Sequence, residues 1–243
     1  MPISPYSIMT KELIPNPLTN GKHLNMVLSG EQPTIDFWET AYQTGKTGWD
    51  LGQPSPVLAA WADRPDVIPG GRMAVVGCGR GHDAMFLADR GFQVVGFDLA
   101  PSAIAEADRA ARDRGVVAEF VQADILNLAA NWVGQFDWVI EHTCFCAIDP
   151  SLRPAYVQAV RSLLTDQGSL VAVFFAHDRP GGPPFGTSVA EIQQLFEPQF
   201  VIQELQRSAH SIDRRRDEEY LGWLRPRLAS RSPVMSGESG PLV

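Results

Sequence analysis

From Arg72 onward, short apolar runs alternate with longer amphipathic stretches, and this alternation predicts strands and helices in turn. The run over 72–77 predicts a strand, followed by a helix over 82–90 that Gly91 stops as a C-cap. The run over 93–97 predicts a second strand. The helix after it opens at Pro101, a residue suited to a first helical turn, carries alanines from Ala103 to Ala111 and ends at Gly115. A strand over 117–122 leads into Asp124, and a strand over 136–140 leads to a helix over 151–164. The stretch 169–175 is continuously apolar, as a strand buried on both faces should be. A helix over 188–196 and a strand over 199–206 complete the pattern. Strands alternating with helices predict a mostly parallel sheet with right-handed crossovers, a doubly wound α/β sandwich. Such sheets bind ligands beyond the C-terminal ends of their strands. Gly77, Asp98, Asp124, Glu141 and Phe175 should therefore face one crevice.

The flanks read differently. Residues 1–33 are rich in Pro, Asn, Ser and Gly and predict a flexible N-terminal arm, while 229–243 predict a disordered tail. Between them, 34–228 reads as a single domain, whose first part, 34–53, is dense in aromatics. A composition of 44% hydrophobic and 20% charged residues is that of an ordinary globular chain. The net charge of −8 argues against nucleic acid as a partner, because phosphate neutralisation needs a basic surface. Arg214-Arg215-Arg216 is the local exception and, beside Asp213, Asp217, Glu218 and Glu219, reads as a solvated loop. Cys78, Cys144 and Cys146 have neither a redox nor a zinc spacing, so no metal is expected and a reducing cytoplasm is. No apolar run has the length of a membrane span, and no signal-peptide pattern opens the chain. A cytoplasmic monomer acting on a small molecule is the expectation.

The chemistry concentrates in Gly77-Cys-Gly-Arg-Gly-His-Asp83, which follows the first strand. A glycine turn there and an acid, Asp98, at the tip of the next strand are how α/β proteins grip a nucleoside. The glycines Gly77, Gly79 and Gly81 let the backbone approach the ligand, and the carboxylate accepts from ribose hydroxyls. A dinucleotide loop would place its third glycine at 82, where this chain has His82. The alternating spacing suits a ligand without a pyrophosphate, such as S-adenosylmethionine, with a flavin or nicotinamide left open. After the third strand, Asp124 can accept from an adenine amine while Ile125 packs on the ring; Asp124 can equally cap a turn. Glu141 and His142 leave the fourth strand where a methyl donor and acceptor would meet, either as cofactor contacts or, for His142, as a base. Phe175 is placed in the acceptor pocket, and Cys144, Phe145 and Cys146 read as packing residues. Arg153 and Arg179 are either anion-orienting or solvated. Trp38 and Tyr42 lie four apart, on one helical face, and Trp49 follows a Gly-Lys-Thr-Gly turn. This segment can fold over the pocket as a lid, its rings shielding a sulfonium cation. There is no G-x-S-x-G elbow, and Gly45-Lys46-Thr47 lacks the strand and glycine of a phosphate loop.

Together these residues resemble the thiopurine methyltransferase family of class I S-adenosylmethionine-dependent methyltransferases, especially its plant and bacterial thiol and halide methyltransferases. The likeness runs through Trp38…Gly-Lys-Thr-Gly-Trp49-Asp, the glycine loop, Val-Val-Gly-Phe-Asp98, Phe145-Cys-Ala-Ile-Asp-Pro-Ser-Leu-Arg-Pro154 and Gly181-Gly-Pro-Pro-Phe185, covering roughly 35–225. It implies a seven-stranded Rossmann-like sheet, S-adenosylmethionine as cofactor and S-adenosylhomocysteine as product. It also implies cofactor contacts from Trp38, Tyr42, Trp49, Gly77, Asp98, Asp124, Ile125 and Glu141 or His142. Phe175, where some members carry Tyr, and Tyr42, often Trp, are departures that bear on the acceptor. The expected reaction is in-line methyl transfer to a small soft nucleophile: a thiol, hydrosulfide, thiocyanate, or a halide, selenium or tellurium anion. The rivals are a nicotinamide-dependent oxidoreductase and a catalytically silent cofactor-binding module.

Overall fold

The computed structural model describes residues 33–228; the arm expected over 1–33, save Pro33, and the tail over 229–243 lie outside the described residues. Seven strands form one sheet in the order β3-β2-β1-β4-β5-β7-β6. They are β1 (Arg72–Val76), β2 (Gln93–Asp98), β3 (Glu119–Gln122), β4 (Phe136–His142), β5 (Leu164–Phe175), β6 (Phe200–Arg207) and β7 (Glu219–Pro226). The first five are joined in parallel, and β7 runs antiparallel between β5 and β6. Six α-helices accompany them among the described residues: α1 (Ile35–Gln43), α2 (Pro56–Ala62), α3 (His82–Asp89), α4 (Pro101–Arg114), α5 (Arg153–Leu163) and α6 (Val189–Phe196). The chain order turns back between β1 and β4, which makes their C-terminal ends the switch point where ligands settle on such sheets.

The strand pleat explains why the sheet is covered on both faces. Along β5, Leu170, Ala172 and Phe174 enter one core cluster with Phe145, Tyr156 and Phe196, while Val171 and Val173 enter the other with Leu58, Trp61 and Met85. Successive side chains point to opposite faces, so an unbroken apolar run is what a two-sided layer requires. On α4, Ala103, Ala107 and Ala111 recur every four residues and are buried, a smooth stripe that lets the helix sit close to the sheet.

Two elements are absent from the hydrophobic pattern. Ser55 caps α2, accepting from the Leu58 N–H, and Pro56 opens it. Strand β7 carries a buried acid, Glu219, and Gly222 among its apolar residues, which hides its alternation. The Cβ that Gly222 lacks would stand 2.8 Å from the Phe174 ring. That close packing against β5 is why the position is bare.

Candidate active site

Beyond the C-terminal strand ends lies a cavity of about 720 Å³, within the roughly 300–1,000 Å³ of small-molecule sites. Gly77, Asp98, Asp124 and Ile125 line it, and so do Trp38, Tyr42 and Trp49. Asp98 stands at the tip of β2. Its Oδ2 accepts from the Gly79 N–H at 2.8 Å and its Oδ1 from the Ala100 N–H at 2.9 Å. Burial pushes its carboxyl up from the usual range, against these backbone hydrogen bonds. Asp124 does two things: its Oδ1 accepts from the Leu126 N–H at 2.9 Å, capping a short turn, and its side chain borders the cavity.

The three glycines of the loop have separate tasks. Only Gly77 lines the cavity. Its φ is +62°, and an added Cβ would lie 2.9 Å from both Cβ and Sγ of Cys144. Gly79 gives its N–H to Asp98 and faces the Tyr42 hydroxyl, which its Cβ would meet at 2.9 Å. Gly81, at φ +77°, begins α3 and packs on Phe120 and Ala107. Gly79 and Gly81 therefore shape the loop from outside the cavity instead of lining it. Gly77→Ala should lower the melting temperature and abolish measurable S-adenosylhomocysteine binding in a calorimetric titration, through both the left-handed φ and the Cys144 contact. Adding Cys144→Gly, which removes both contacting atoms, relieves only the second and should restore part of the stability.

The aromatic segment is clasped onto the loop by the side chains between the glycines. The Arg80 guanidinium donates to Thr47 Oγ1 at 2.8 Å, Asp50 Oδ2 at 2.5 Å and Glu106 Oε2 at 2.5 Å. His82 Nε2 lies 3.3 Å from Asp50 Oδ1. Burial would raise Asp50, but hydrogen bonds from His82 and Arg80 outweigh it and hold the carboxyl far below its usual range. On the other side, Ser102 at the start of α4 donates its N–H and hydroxyl to Glu39 of α1 at 2.9 and 2.5 Å. Trp49 Nε1 donates to the Tyr42 hydroxyl at 3.3 Å, and the Trp38 and Trp49 rings meet edge to face at 5.2 Å. The residue that departs from a dinucleotide loop, His82, thus helps hold the aromatic segment that lines the cavity.

Glu141 and His142 are not where the sequence places them. Neither side chain lines the cavity. Glu141, fully buried, uses Oε1 to accept from the Cys144 and Phe145 N–H groups, both at 2.8 Å. This bends the chain after β4 so that Thr143, at φ +61°, and Cys144 and Cys146 reach the cavity wall. Glu141 is a loop brace. Burial pushes its carboxyl up to about 7 from an ordinary value of 4.5. The folded state therefore binds more protons than the unfolded chain between those values, and stability falls as pH rises through that window. Glu141→Gln keeps an acceptor for both N–H groups. In urea titrations at pH 5 and 7.5 it should remove this slope, worth up to about 3 kcal/mol.

His142 joins a buried chain of polar groups. Its Nδ1 lies 2.8 Å from Asp83 Oδ2 and its Nε2 lies 3.1 Å from an Arg215 nitrogen. That pattern is met when Nδ1–H donates to Asp83 and Nε2 accepts from Arg215. Arg215 also donates to Glu219 Oε1 at 3.1 Å and to the Trp49 carbonyl at 2.7 Å, and its guanidinium stands over the Phe175 ring at 5.5 Å. The middle arginine of the 214–216 run is thus buried and borders the cavity, where the sequence suggests a solvated loop. Arg214 borders it too and donates to the Gly48 carbonyl at 2.8 Å. Arg153 is neither solvated nor at the cavity: it is fully buried and donates to Glu191 at 2.6 Å and to the carbonyls of Phe185 and Gly186. Arg179 borders the cavity, paired with Glu218. Phe175 lies on the wall as expected, and beside it is His177, which the sequence reading passes over. The signal was present: two residues beyond Phe175, His177 falls on the same side of an extended chain. The described residues hold no cluster fit for a metal ion.

Against known proteins, residues 33–229 match the model of the family described as Thiopurine S-methyltransferase. The chain belongs to that family. This methyltransferase is 33% identical over 164 residues to "Probable thiol methyltransferase 2" of Arabidopsis thaliana, covering 66% of its own length and 71% of the relative's. It is 31% identical over 189 residues to "Thiocyanate methyltransferase 1" of the same plant, covering 76% and 82%. Its fold is similar to that of the 1,6-didemethyltoxoflavin-N1-methyltransferase of Burkholderia thailandensis, solved with S-adenosylhomocysteine. That likeness has a TM-score of 0.61 at 20% identity and covers 80% of this chain and 87% of that one. It is an S-adenosylmethionine-dependent methyltransferase, and the nicotinamide-dependent oxidoreductase reading gives way. The cavity suits that cofactor: a carboxylate at the tip of β2, a glycine and a second acid with an apolar neighbour all line it. No helix among the described residues is long and apolar enough to cross a membrane.

Proposed function

We propose that this enzyme methylates small, soft, electron-rich acceptors, foremost thiols, hydrosulfide and thiocyanate at sulfur, with halide and selenium or tellurium anions as further members. The observation that carries this reading is the far wall of the cavity. Arg179 and Arg215, each ion-paired with a glutamate, stand over the Phe175 ring, and with Arg214, Cys146 and Pro183 they border the same cavity, which joins apolar lining to guanidinium groups in a chain of net charge −8. A soft anion needs an apolar enclosure that strips its water and a cation that draws it in, and this wall supplies both. The names of the two plant relatives point the same way.

On this reading Asp98 receives the ribose hydroxyls, Asp124 and Ile125 receive the adenine, and the rings of Trp38, Tyr42 and Trp49 exclude water from the reacting centre. S-adenosylmethionine, when bound, supplies a methyl carbon on an already activated leaving group. The residues of the far wall align the acceptor and hold it dry, a contribution of the positioning kind.

An acceptor panel tests the reading. Purified protein with S-adenosylmethionine and, in turn, thiocyanate, hydrosulfide, thiophenol, iodide and selenide is assayed for methylated volatile product by headspace gas chromatography. Turnover with thiols and thiocyanate above halides is the expected order. Tight S-adenosylhomocysteine binding with no product from any acceptor would instead describe a silent cofactor-binding module.

A further inference from the structure

Asp83 and His142 form a pair that the proposed reaction does not use. Their side chains are 14% and 9% exposed, and neither lines the cavity. Asp83, in the first turn of α3, has both carboxylate oxygens engaged. Its Oδ1 accepts from the Ser55 N–H at 2.7 Å and its Oδ2 lies 2.8 Å from His142 Nδ1. A carboxylate only accepts, so the Nδ1 it faces carries the proton and Nε2 keeps its lone pair. That lone pair faces Arg215 Nη1 at 3.1 Å. Of Asp83, His142 and Arg215, only Arg215 borders the cavity.

We propose that Asp83 and His142 are positioning residues for anionic acceptors: Asp83 sets the imidazole tautomer, and His142 then presents the acceptor that holds the Arg215 guanidinium at the cavity. The proposal rests on the reading that the acceptor is a soft anion such as thiocyanate. A guanidinium has five N–H groups. Arg215 gives three of them to His142, Glu219 and the Trp49 carbonyl, and the others have no protein partner among the described residues. The three bonds come from β4, β7 and the aromatic segment, and they hold the guanidinium over the Phe175 ring at 5.5 Å.

The opposite tautomer would undo this arrangement. Its Nε2–H would point at the guanidinium, donor against donor. It would also compete with Arg215 for Glu219 Oε1, which lies 4.0 Å from Nε2. Asp83→Asn forces that tautomer. The Ser55 N–H needs an acceptor, so the new amide keeps its oxygen on Ser55 and turns its NH2 towards Nδ1, which must then accept. The side chain keeps its size and His142 itself is untouched.

The test reads tautomer and affinity in variants whose fold is checked by circular dichroism. In ¹⁵N-histidine spectra of the protein with S-adenosylhomocysteine, the ring signals missing from His142→Gln belong to His142. Wild type should show Nδ1 protonated and Nε2 bare, and Asp83→Asn the reverse. In steady-state assays the KM for thiocyanate should rise roughly 10–100-fold in Asp83→Asn and in His142→Leu, the effect of losing one hydrogen bond to a charged group. The rise should fall on KM more than on kcat, and inhibition by the neutral product, methyl thiocyanate, should move far less. His142→Gln can donate to Asp83 and accept from Arg215, so it should recover most of the affinity that His142→Leu loses. Three outcomes overturn the positioning role alone: a tautomer that Asp83→Asn does not reverse, a reversed tautomer with an unchanged KM, or equal losses for thiocyanate and methyl thiocyanate. A wild type that methylates neither thiocyanate nor any thiol overturns the acceptor reading instead, whatever the tautomers.

Discussion

Replacing Asp98 by alanine should weaken S-adenosylhomocysteine binding by about 10²–10⁴-fold, with the fold intact by circular dichroism. The carboxylate stands at the C-terminal tip of β2 on the cavity wall, and each of its oxygens already accepts one backbone N–H, from Gly79 and Ala100. Those bonds fix its plane, and on the proposed reading its remaining lone pairs receive the ribose hydroxyls. Two hydrogen bonds to an ionised acceptor contribute about 1.5–3 kcal/mol each, which sets the range. Asp98→Asn keeps one acceptor oxygen and should fall between. Calorimetric titration measures both, and a loss below tenfold for the alanine variant contradicts the assignment.

The second large effect is on stability. Arg215→Met should destabilise the fold by about 3–5 kcal/mol, because it leaves Glu219, only 2% exposed, as a buried charge without its cation. It also removes the donor to His142 Nε2 and the tie to the Trp49 carbonyl, which links β7 to the aromatic cover. For a chain of this size the loss corresponds to a fall of roughly 6–20 °C in melting temperature. Adding Glu219→Gln removes the stranded charge and should recover much of it. A double-mutant cycle therefore separates the charge pair from packing. Near-additive losses would show that the pair does not act as a unit.

The contrast between Asp98 and Arg215 shows what a sequence displays. Asp98, the glycine loop and Asp124 are legible because each belongs to a local strand–turn–helix unit, where a few neighbouring residues specify both the backbone and the direction of the side chain. The aromatic segment is legible for a similar reason: Trp38 and Tyr42 share a helix face, and Trp49 follows within one turn. Arg215 is not legible. Only the middle of three arginines turns inward, because a short helical turn over Asp213–Arg215 aims it at partners on β4, β7 and the cover, more than 70 residues away in two cases. Glu141 differs from Asp98 in kind: its strand-end position is equally that of a ligand contact, and two backbone N–H groups of the next turn claim its Oε1. The sheet was readable up to its sixth strand. Strand β7 is hidden in the hydrophobic pattern because Glu219 and Gly222 answer to neighbours in space.

The most direct test of the account is a single-turnover experiment with enzyme in excess over ¹³C-methyl-labelled S-adenosylmethionine, run with thiocyanate and with hydrosulfide. The account predicts that labelled methyl thiocyanate and methanethiol appear one-for-one with S-adenosylhomocysteine. It is contradicted if the label stays on the cofactor with every soft nucleophile yet moves to a ring nitrogen or oxygen of a heterocyclic acceptor.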